Sequence, residues 1–440
     1  MANILFLTQV LPYPLNSGAK IRAYYVLRQL ARSHAVTLVS FVREDDEPAA
    51  IAHLSEVCEA VLTVPMRRSS LRNGWALLKA GLTGRSVIIV RDEIPEMFRL
   101  LRRLVRDTHF DVIHADQTSM VQYALEGQRC HVQTFKRSNV QTILDAHNAL
   151  YRIPERLAMG ETNPLKRLGY RREARALQRY EAKAYRTFDH VVFVTEVDRR
   201  ELQQVTSHKS QVTGQRDDVR VPGLETSDFG LQTSVIPICV DPEAVPLIPR
   251  RAGGRSVVHV GTMFWPPNVE GVLWFGGEVW PRVLQQVPDA RFVIVGKKPP
   301  KAVKDLAMQV RNITVTGYVA EPAPYLAEAA VFIVPLHAGG GMRVKIVDAW
   351  CWGVPVVATT VGAEGIERCE GENILVADAP QALADAVVRL LKEPALGERL
   401  RVNGRAWVEE KYNWRIVYDA WDRVYEGLLA QRGERDADAH

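Results

Sequence analysis

Residues His337 to Thr359 read HAGGGMRVKIVDAWCWGVPVVAT, and the order of side chains suits an anion. After the apolar run VFIVP, Gly339, Gly340 and Gly341 let the backbone approach a ligand closely. The helix expected from about Met342 then presents N–H groups and a positive dipole end, a setting that binds phosphate. Arg343 and Lys345 fall in its first turn, where full positive charges oppose the dipole unless an anion is present. Asp348, three residues after Lys345, shares its helix face and can accept hydrogen bonds from a ribose diol. A flexible glycine loop followed by a Lys345–Asp348 surface pair uses the same residues, and residue types alone leave the two readings open.

The first half offers weaker candidates. Gly18, in LPYPLNSGAKIR, follows the first expected strand and precedes a helix from about Ala19, the place where doubly wound sheets take ligands. A turn in which Asn16 or Ser17 caps the helix accounts for it as well. The segment lacks Gly-x-Gly-x-x-Gly, which disfavours NAD. His114 in DVIHADQ and His147 in LDAHNA sit at strand ends, where α/β sites gather polar groups. His147, flanked by Asp145 and Asn148, is the stronger of the two, with a structural imidazole as the alternative for each. No Ser/His/Asp signature, Walker loop or zinc spacing occurs, and Asp217 with Asp218 reads as solvated, so no bound metal and no cofactor are expected.

These residues need a sheet to hold them. In the first half NILFLT, AVTLVSF, DVIHA, TILDAHN and HVVFVT alternate with helical stretches; the pattern restarts with SVVHVGT, RFVIVG, NITVTG, AVFIVP and VPVVAT. Such alternation predicts two doubly wound parallel α/β sheets in series. VDPEAVPLIPRRAGGRS reads as the linker, with the boundary near Pro242 to Gly254. The domains expected are 1–243 and 254–412, followed by an amphipathic helix over 413–430 with Ile416, Trp421, Val424, Tyr425 and Leu428 at helical spacing. A helix is also expected over Val269 to Val287. EGQRCHVQTFKRSN and TSHKSQVTGQRDDVRVPGLETSDFGLQ are polar and aperiodic and read as loops or insertions.

The chain has 440 residues, 47% of them apolar, enough for two or three domains. Five scattered cysteines without a Cys-x-x-Cys pair fit a reducing cytosol. No stretch approaches the roughly 18 apolar residues of a membrane span, and the start has no basic leader, so neither export nor a span is expected. The net charge of +5 is uneven: Met66 to Arg106 holds ten basic and three acidic residues, and Tyr151 to His190 ten and five. Without a nucleic-acid-binding signature, the partner this suggests is an anionic membrane surface or a phosphorylated ligand, and the alternative is a solvated helix face.

Taken together, the two Rossmann-like halves, the early glycine loop, LDAHN, VIPICVD and GGGMRVKIVDAWCWGVPVVATTVGAEGI resemble glycosyltransferases of the GT-B fold. The likeness is to family 4, the bacterial branch associated with exopolysaccharide and exosortase gene clusters, and it extends through HVGTMFWPPNVEGVLWF, VPDARFVIVGKKP and VTGYV. It covers about residues 1 to 430. The resemblance implies two domains facing across a cleft, with the C-terminal helix crossing back. The acceptor is then held mainly by the first domain, with His114 and Asp116 as acceptor-side candidates, and the nucleotide-sugar by the second. Gly18 would border the diphosphate, and His147 matches the family histidine near the sugar and the reacting centre. Gly339, Gly340, Gly341, Met342 and Val344, with Arg343 and Lys345, would hold the diphosphate, with His147, Arg343 and Lys345 as the catalytic set. Asp348 takes the place of the ribose-binding glutamate. Gly261 would line the donor site, and Gly317, Tyr318 and Val319 would border the base.

This chain departs from the family in three places. Gly340 stands where the wider family has its first glutamate, and Asp348 replaces the second. GTMFWPPNVEG lacks the usual Arg and Lys, and VIPICVD stands for VIPNGVD. The activity implied is a retaining hexosyl transfer from a nucleotide-sugar to a glycan or lipid-linked acceptor in cell-surface polysaccharide synthesis. It would take place in the cytoplasm, with peripheral attachment to the inner face of the membrane open. A catalytically silent nucleotide-sugar-binding or scaffold protein and a GT-B-type nucleotide-sugar epimerase are the alternatives.

Overall fold

The computed structural model describes residues 1–44, 46–67, 69–135, 140–207, 232–245, 247–248 and 253–437. The chain divides into two compact units, Met1–Cys239 with Val417–His440, and Val240–Ile416.

The first unit is built on a parallel sheet of β1 (Asn3–Thr8), β2 (Ala35–Val42), β3 (Ala60–Pro65), β4 (Val112–Asp116), β5 (Gln141–Ala146), β6 (His190–Phe193) and β7 (Gln232–Val235), in the order β3-β2-β1-β4-β5-β6-β7. The order reverses between β1 and β4, so the segments leaving these two strands are brought side by side. The second unit repeats the plan with β8 (Ser256–Val260), β9 (Arg291–Val295), β10 (Ile313–Gly317), β11 (Ala329–Val334), β12 (Val356–Ala358) and β13 (Ile374–Val376), in the order β10-β9-β8-β11-β12-β13. Its reversal lies between β8 and β11. Strands such as β4, β5 and β11 are buried along their whole length, as expected of a sheet covered on both faces.

The two expected sheets are present, with three strands beyond those expected: β3, β7 and β13. EGQRCHVQTFKRSN is not a loop through Phe135. The helix Val121–Phe135 buries Val121, Tyr123, Ala124, Gly127, Cys130 and His131, a stripe masked by the polar residues between them. Residues 136–139, and all but the ends of the second polar stretch with Asp217 and Asp218, lie outside the described residues. The helix expected over 269–287 is made of Pro266–Trp274, a π-helical turn Phe275–Val279 and Trp280–Gln286.

The C-terminal helix Asp419–Ala437 belongs to the first unit. It buries Trp421, Val424, Tyr425 and Leu428, and Asp422 accepts a hydrogen bond from Gln29 of the helix Gly18–Leu30 at 2.7 Å. Ile416 falls instead on the short helix Trp414–Val417 and is exposed. The first residues past Cys239 join the second unit, where the Val240 amide donates to the Tyr412 carbonyl at 2.9 Å. Among the described residues no helix is long and apolar enough to cross a membrane.

Candidate functional site

In the first unit the reversal point gathers one arginine, two aspartates and a histidine. Arg22, on the inward face of the helix Gly18–Leu30, is fully buried and directs Nε and Nη2 to the Asp145 carboxylate at 2.7–3.0 Å. Its Nη1 donates to the carbonyls of Ile236 and Pro237 at 2.7 and 2.9 Å, and its guanidinium lies over Trp421 at 5.2 Å. VIPICVD thus contributes carbonyls that anchor a buried cation. His147, just past β5, donates from Nε2 to Asp116 Oδ1 at 2.8 Å and lies 3.5 Å from Asp145 Oδ2. Asn148 makes no hydrogen bond to it; the orienting partners are Asp145 and Asp116, which β4 and β5 bring level with one another.

Burial opposes charge on His147, but Asp116 and Asp145 outweigh it and push the imidazole up to about 9. Burial likewise opposes ionisation of Asp145, yet Arg22 and His147 hold it well below the usual carboxylate range. For Asp116 burial wins and its pKa is raised, because His147 is shared and Oδ2 has no partner. The two carboxylates thus favour the imidazolium form of His147, which makes it a hydrogen-bond donor and a poor base. Asp116, Asp145 and His147 also present ligand-type atoms within 4.8 Å of one another, but both Asp145 oxygens already receive Arg22.

The residue after Asp116 is strained. Gln117 takes φ +77° and ψ 152° while its amide donates to the Asp145 carbonyl at 2.9 Å. This backbone region belongs to glycine and costs on the order of 1–3 kcal/mol in other residues, a strain that collects at functional sites.

His114 is placed elsewhere. It is fully buried, stacked on Phe6 at 4.2 Å and hydrogen-bonded through Nδ1 with the Tyr425 hydroxyl at 2.8 Å, and burial lowers it to about 3. Held neutral under the C-terminal helix, it is a packing residue, which corrects its reading as an acceptor-side group. Gly18 opens its helix as expected, with Ser17 at the N-cap making no side-chain cap hydrogen bond.

In the second unit the reversal point lies between the loops after β8 and β11. Gly296, past β9, lies so close to that turn that a Cβ there would meet the Gly261 carbonyl oxygen at 1.8 Å. The loop after β11 leads into the helix Val344–Cys351, two residues later than expected. Arg405 fixes the far end of that helix by donating to the Cys351 carbonyl at 2.6 Å, and Trp350 anchors it by donating to the Asn373 carbonyl at 2.8 Å.

Arg343 does not stand at the helix start as an open cation. It is 4% exposed, and it donates to the carbonyls of Gly340, Gly341 and Val361 at 2.6, 3.0 and 3.2 Å and to Glu364 at 3.4 Å. The loop wraps around it: Gly339 has φ +144°, and a Cβ there would meet Arg343 Nη2 at 2.8 Å. The dipole misfit is thus relieved by loop carbonyls, which corrects the assignment of Arg343 as a diphosphate ligand and makes it the brace of the loop.

Lys345 stays available. Its ammonium donates to Asn268 Oδ1 at 2.8 Å, and desolvation, reinforced by Arg343, lowers it to about 7 against the pull of Asp348. Asp348 makes no hydrogen bond through its carboxylate, and desolvation raises it to about 7 although Lys345 acts in the opposite sense. The surface ion pair allowed by residue types is therefore absent: no Lys345–Asp348 contact within 4 Å forms, and both groups are partly enclosed. His259, at the end of β8, donates from Nδ1 to the Ile333 carbonyl at 3.0 Å, leaving Nε2 buried and without a partner, and burial lowers it to about 3. Gly317, with φ +76°, ends β10; Tyr318 beside it is 70% exposed.

Sequence reasoning missed Arg22, His259 and Asn268. Arg22 had one visible signal, a lone arginine on the helix face otherwise carrying Tyr25, Val26 and Gln29.

Residues 254–393 match the family described as Glycosyl transferases group 1. A Klebsiella pneumoniae protein called "Uncharacterized 44.6 kDa protein in cps region" is 21% identical over 96% of this chain and 99% of its own length. Phosphatidyl-myo-inositol mannosyltransferase of Mycobacterium leprae is 30% identical over 45% of this chain and 54% of its own, so only about half of that enzyme is matched. The crystal structure of Anabaena Alr3699/HepE in complex with UDP and glucose superposes with a TM-score of 0.61 at 14% identity, covering 97% of this chain and 100% of that one.

Proposed function

The chain is a glycosyltransferase of the GT-B fold, and from that premise we propose a retaining transfer of a hexose from a nucleoside-diphosphate sugar to a glycan or lipid-linked acceptor of cell-surface polysaccharide synthesis, on the cytoplasmic side of the membrane. The observation that carries this reading is the loop braced by Arg343. It turns glycine backbone toward the start of the Val344–Cys351 helix, where Lys345 and a carboxylate without a hydrogen bond, Asp348, lie three residues apart.

In this reading Lys345 and the backbone of 339–344 bind the diphosphate, and Asp348 accepts from the ribose. Arg343 holds the loop's shape. Negative charge on the diphosphate grows as the glycosidic bond breaks, so groups organised against it act mainly in the transition state. His147, charged and oriented by Asp116 and Asp145, donates to a sugar hydroxyl or phosphate oxygen. As an imidazolium it cannot take the acceptor proton, which leaves that role to the departing phosphate on the same face. Removing one such donor raises the barrier by about 3 kcal/mol, roughly a hundredfold in rate. The polysaccharide setting draws support from the cps-region relative, and the donor class from the UDP and glucose held by HepE.

The test is a screen of UDP- and GDP-sugars for slow hydrolysis by the purified protein without acceptor, with the anomer of the released sugar read by NMR. One donor hydrolysed with retention supports the reading. Tight nucleotide binding without turnover in the presence of candidate acceptors would leave a binding protein.

A further inference from the structure

The helix Ser70–Thr83 packs with its small side chains inward and its large apolar ones outward. It is capped at both ends, by the Ser69 hydroxyl accepting from the Arg72 amide at 3.2 Å and by Gly84 in the left-handed conformation. Ala76 and Ala80 are buried against Val87 and Val90. Leu71, Trp75, Leu78 and Leu82, spaced four, three and four residues apart along one stripe, are 88%, 64%, 55% and 81% exposed. A helix serving only the core shows the opposite pattern, and a continuous exposed apolar surface of this kind marks a binding face.

A second helix adds to it. Pro164–Tyr185 is joined to the end of the first by Arg172 donating to the Ala80 carbonyl, by Arg179 donating to the Gly84 carbonyl at 3.2 Å, and by Glu173 accepting from the Val87 amide at 2.9 Å. Its opening turns expose Leu165 and Leu168 at 79% and 64%, interleaved with exposed Lys166, Arg167 and Arg171. Arg67 is exposed just ahead of the first helix. The acidic Glu93 nearby is already held by Lys79 and Arg85, each at 2.6 Å.

We propose that this face lies on an anionic lipid bilayer, with Leu71, Trp75, Leu78 and Leu82 entering the headgroup–acyl boundary and the flanking lysines and arginines meeting lipid phosphates. Charge selects the occupant. The exposed charged side chains beside these leucines, Arg67, Lys166, Arg167 and Arg171, are all basic, while Lys79 and Arg85 are taken up by Glu93, so a second copy of the same surface would be repelled, whereas anionic headgroups neutralise it. Leucines and an interfacial tryptophan with basic neighbours are the composition of a helix lying in the membrane plane.

The inference does not depend on the transferase reading. The experiment is co-sedimentation of the full chain with vesicles of phosphatidylcholine alone and of phosphatidylcholine with phosphatidylglycerol, with nucleotide affinity measured on the same samples. Binding is expected to the anionic vesicles and to be lost at high salt. Lys166→Glu with Arg167→Glu should weaken it by about tenfold or more, and Leu71→Ser with Leu78→Ser and Leu82→Ser should abolish it without lowering the melting temperature. Equal recovery with both vesicles, no binding to either, or undiminished binding by the triple serine variant would overturn the proposal. A dimer that the triple variant dissociates, with no vesicle affinity, would overturn it in favour of a second copy.

Discussion

Replacing His147 by Asn removes a charge while keeping a neutral donor near Asp116, so it isolates what the imidazolium does for the fold. The imidazole is 10% exposed, and its two carboxylate neighbours raise it from 6.5 to about 9. At about 1.4 kcal/mol per pKa unit, that shift makes a contribution of roughly 3 kcal/mol, a ceiling because Asp116 can take up a proton when its partner is gone. A folded-state pKa raised above the unfolded value contributes fully below pH 6.5 and is lost as pH rises through 9. For a unit of this size 1 kcal/mol moves the melting temperature by about 2–4 °C, so wild type should melt up to about 6–12 °C above His147→Asn at pH 6. The gap should close toward pH 9.5. Glu181, raised by burial to about 8, titrates in the same window but in both proteins, so the difference between their curves removes it. Thermal melts from pH 6 to 9.5 are the assay. A gap that stays constant across the range would mean that His147 is neutral at pH 7, and with it would fall the argument that this histidine cannot be the base. Turnover of the variant should drop by about tenfold to a thousandfold at pH 7.

Four further outcomes come from the geometry. Lys345→Met should weaken nucleotide-sugar binding by about tenfold or more in calorimetry while holding or raising the melting temperature, because an ammonium desolvated enough to titrate near 7 opposes folding; unchanged affinity refutes the phosphate role. Donor binding should take up protons above pH 7, where Lys345 must be charged, and release them below it, where Asp348 must be ionised; titrations in buffers of different ionisation enthalpy read the sign, and a sign that does not change with pH contradicts the pairing. Gly339→Ala, at φ +144° and against Arg343, should cost about 1–3 kcal/mol locally and reduce nucleotide affinity, and wild-type affinity would show that the loop's shape is immaterial. Gln117→Gly should raise the melting temperature by relieving the left-handed strain and removing a buried amide nitrogen without a partner, and a fall would refute the strain.

What the sequence made legible depended on whether a residue's job is local. Strands β1, β2, β4, β5 and β6 and the restart at β8 stand out as apolar runs, and they imply the two sheets and their ligand-bearing strand ends. Of the missed strands, β7 is QTSV at the sheet's edge and β13 is three residues long, whereas β3, AVLTVP, carries the same apolar signal as its neighbours and was passed over. The helix Val121–Phe135 was hidden because its buried stripe uses Gly127, Cys130 and His131 in place of long aliphatics. Arg22 pairs with Asp145 across 123 positions of sequence, and no periodicity reports such a contact. Arg343 was legible as a misfit and illegible as to its remedy, since carbonyls that turn back toward a side chain leave no mark on residue types.

The same strand order thus holds opposite electrostatics in the two units. In the first, Arg22 and His147 face Asp145 and Asp116, so its cations are balanced from within and the cluster offers geometry more than charge. In the second, Lys345 has a neutral amide for a hydrogen-bond partner and is lowered to about 7, so the positive charge it can carry is unmet until an anion arrives. A diphosphate gains most where a cation is least compensated, which in the proposed reading favours the second unit for the anion, with the first orienting the sugar and its acceptor. The raised His147 belongs to that division: its own carboxylates favour it as a charged donor before any ligand arrives, whereas in the proposed reading Lys345 becomes a full cation only as the donor binds.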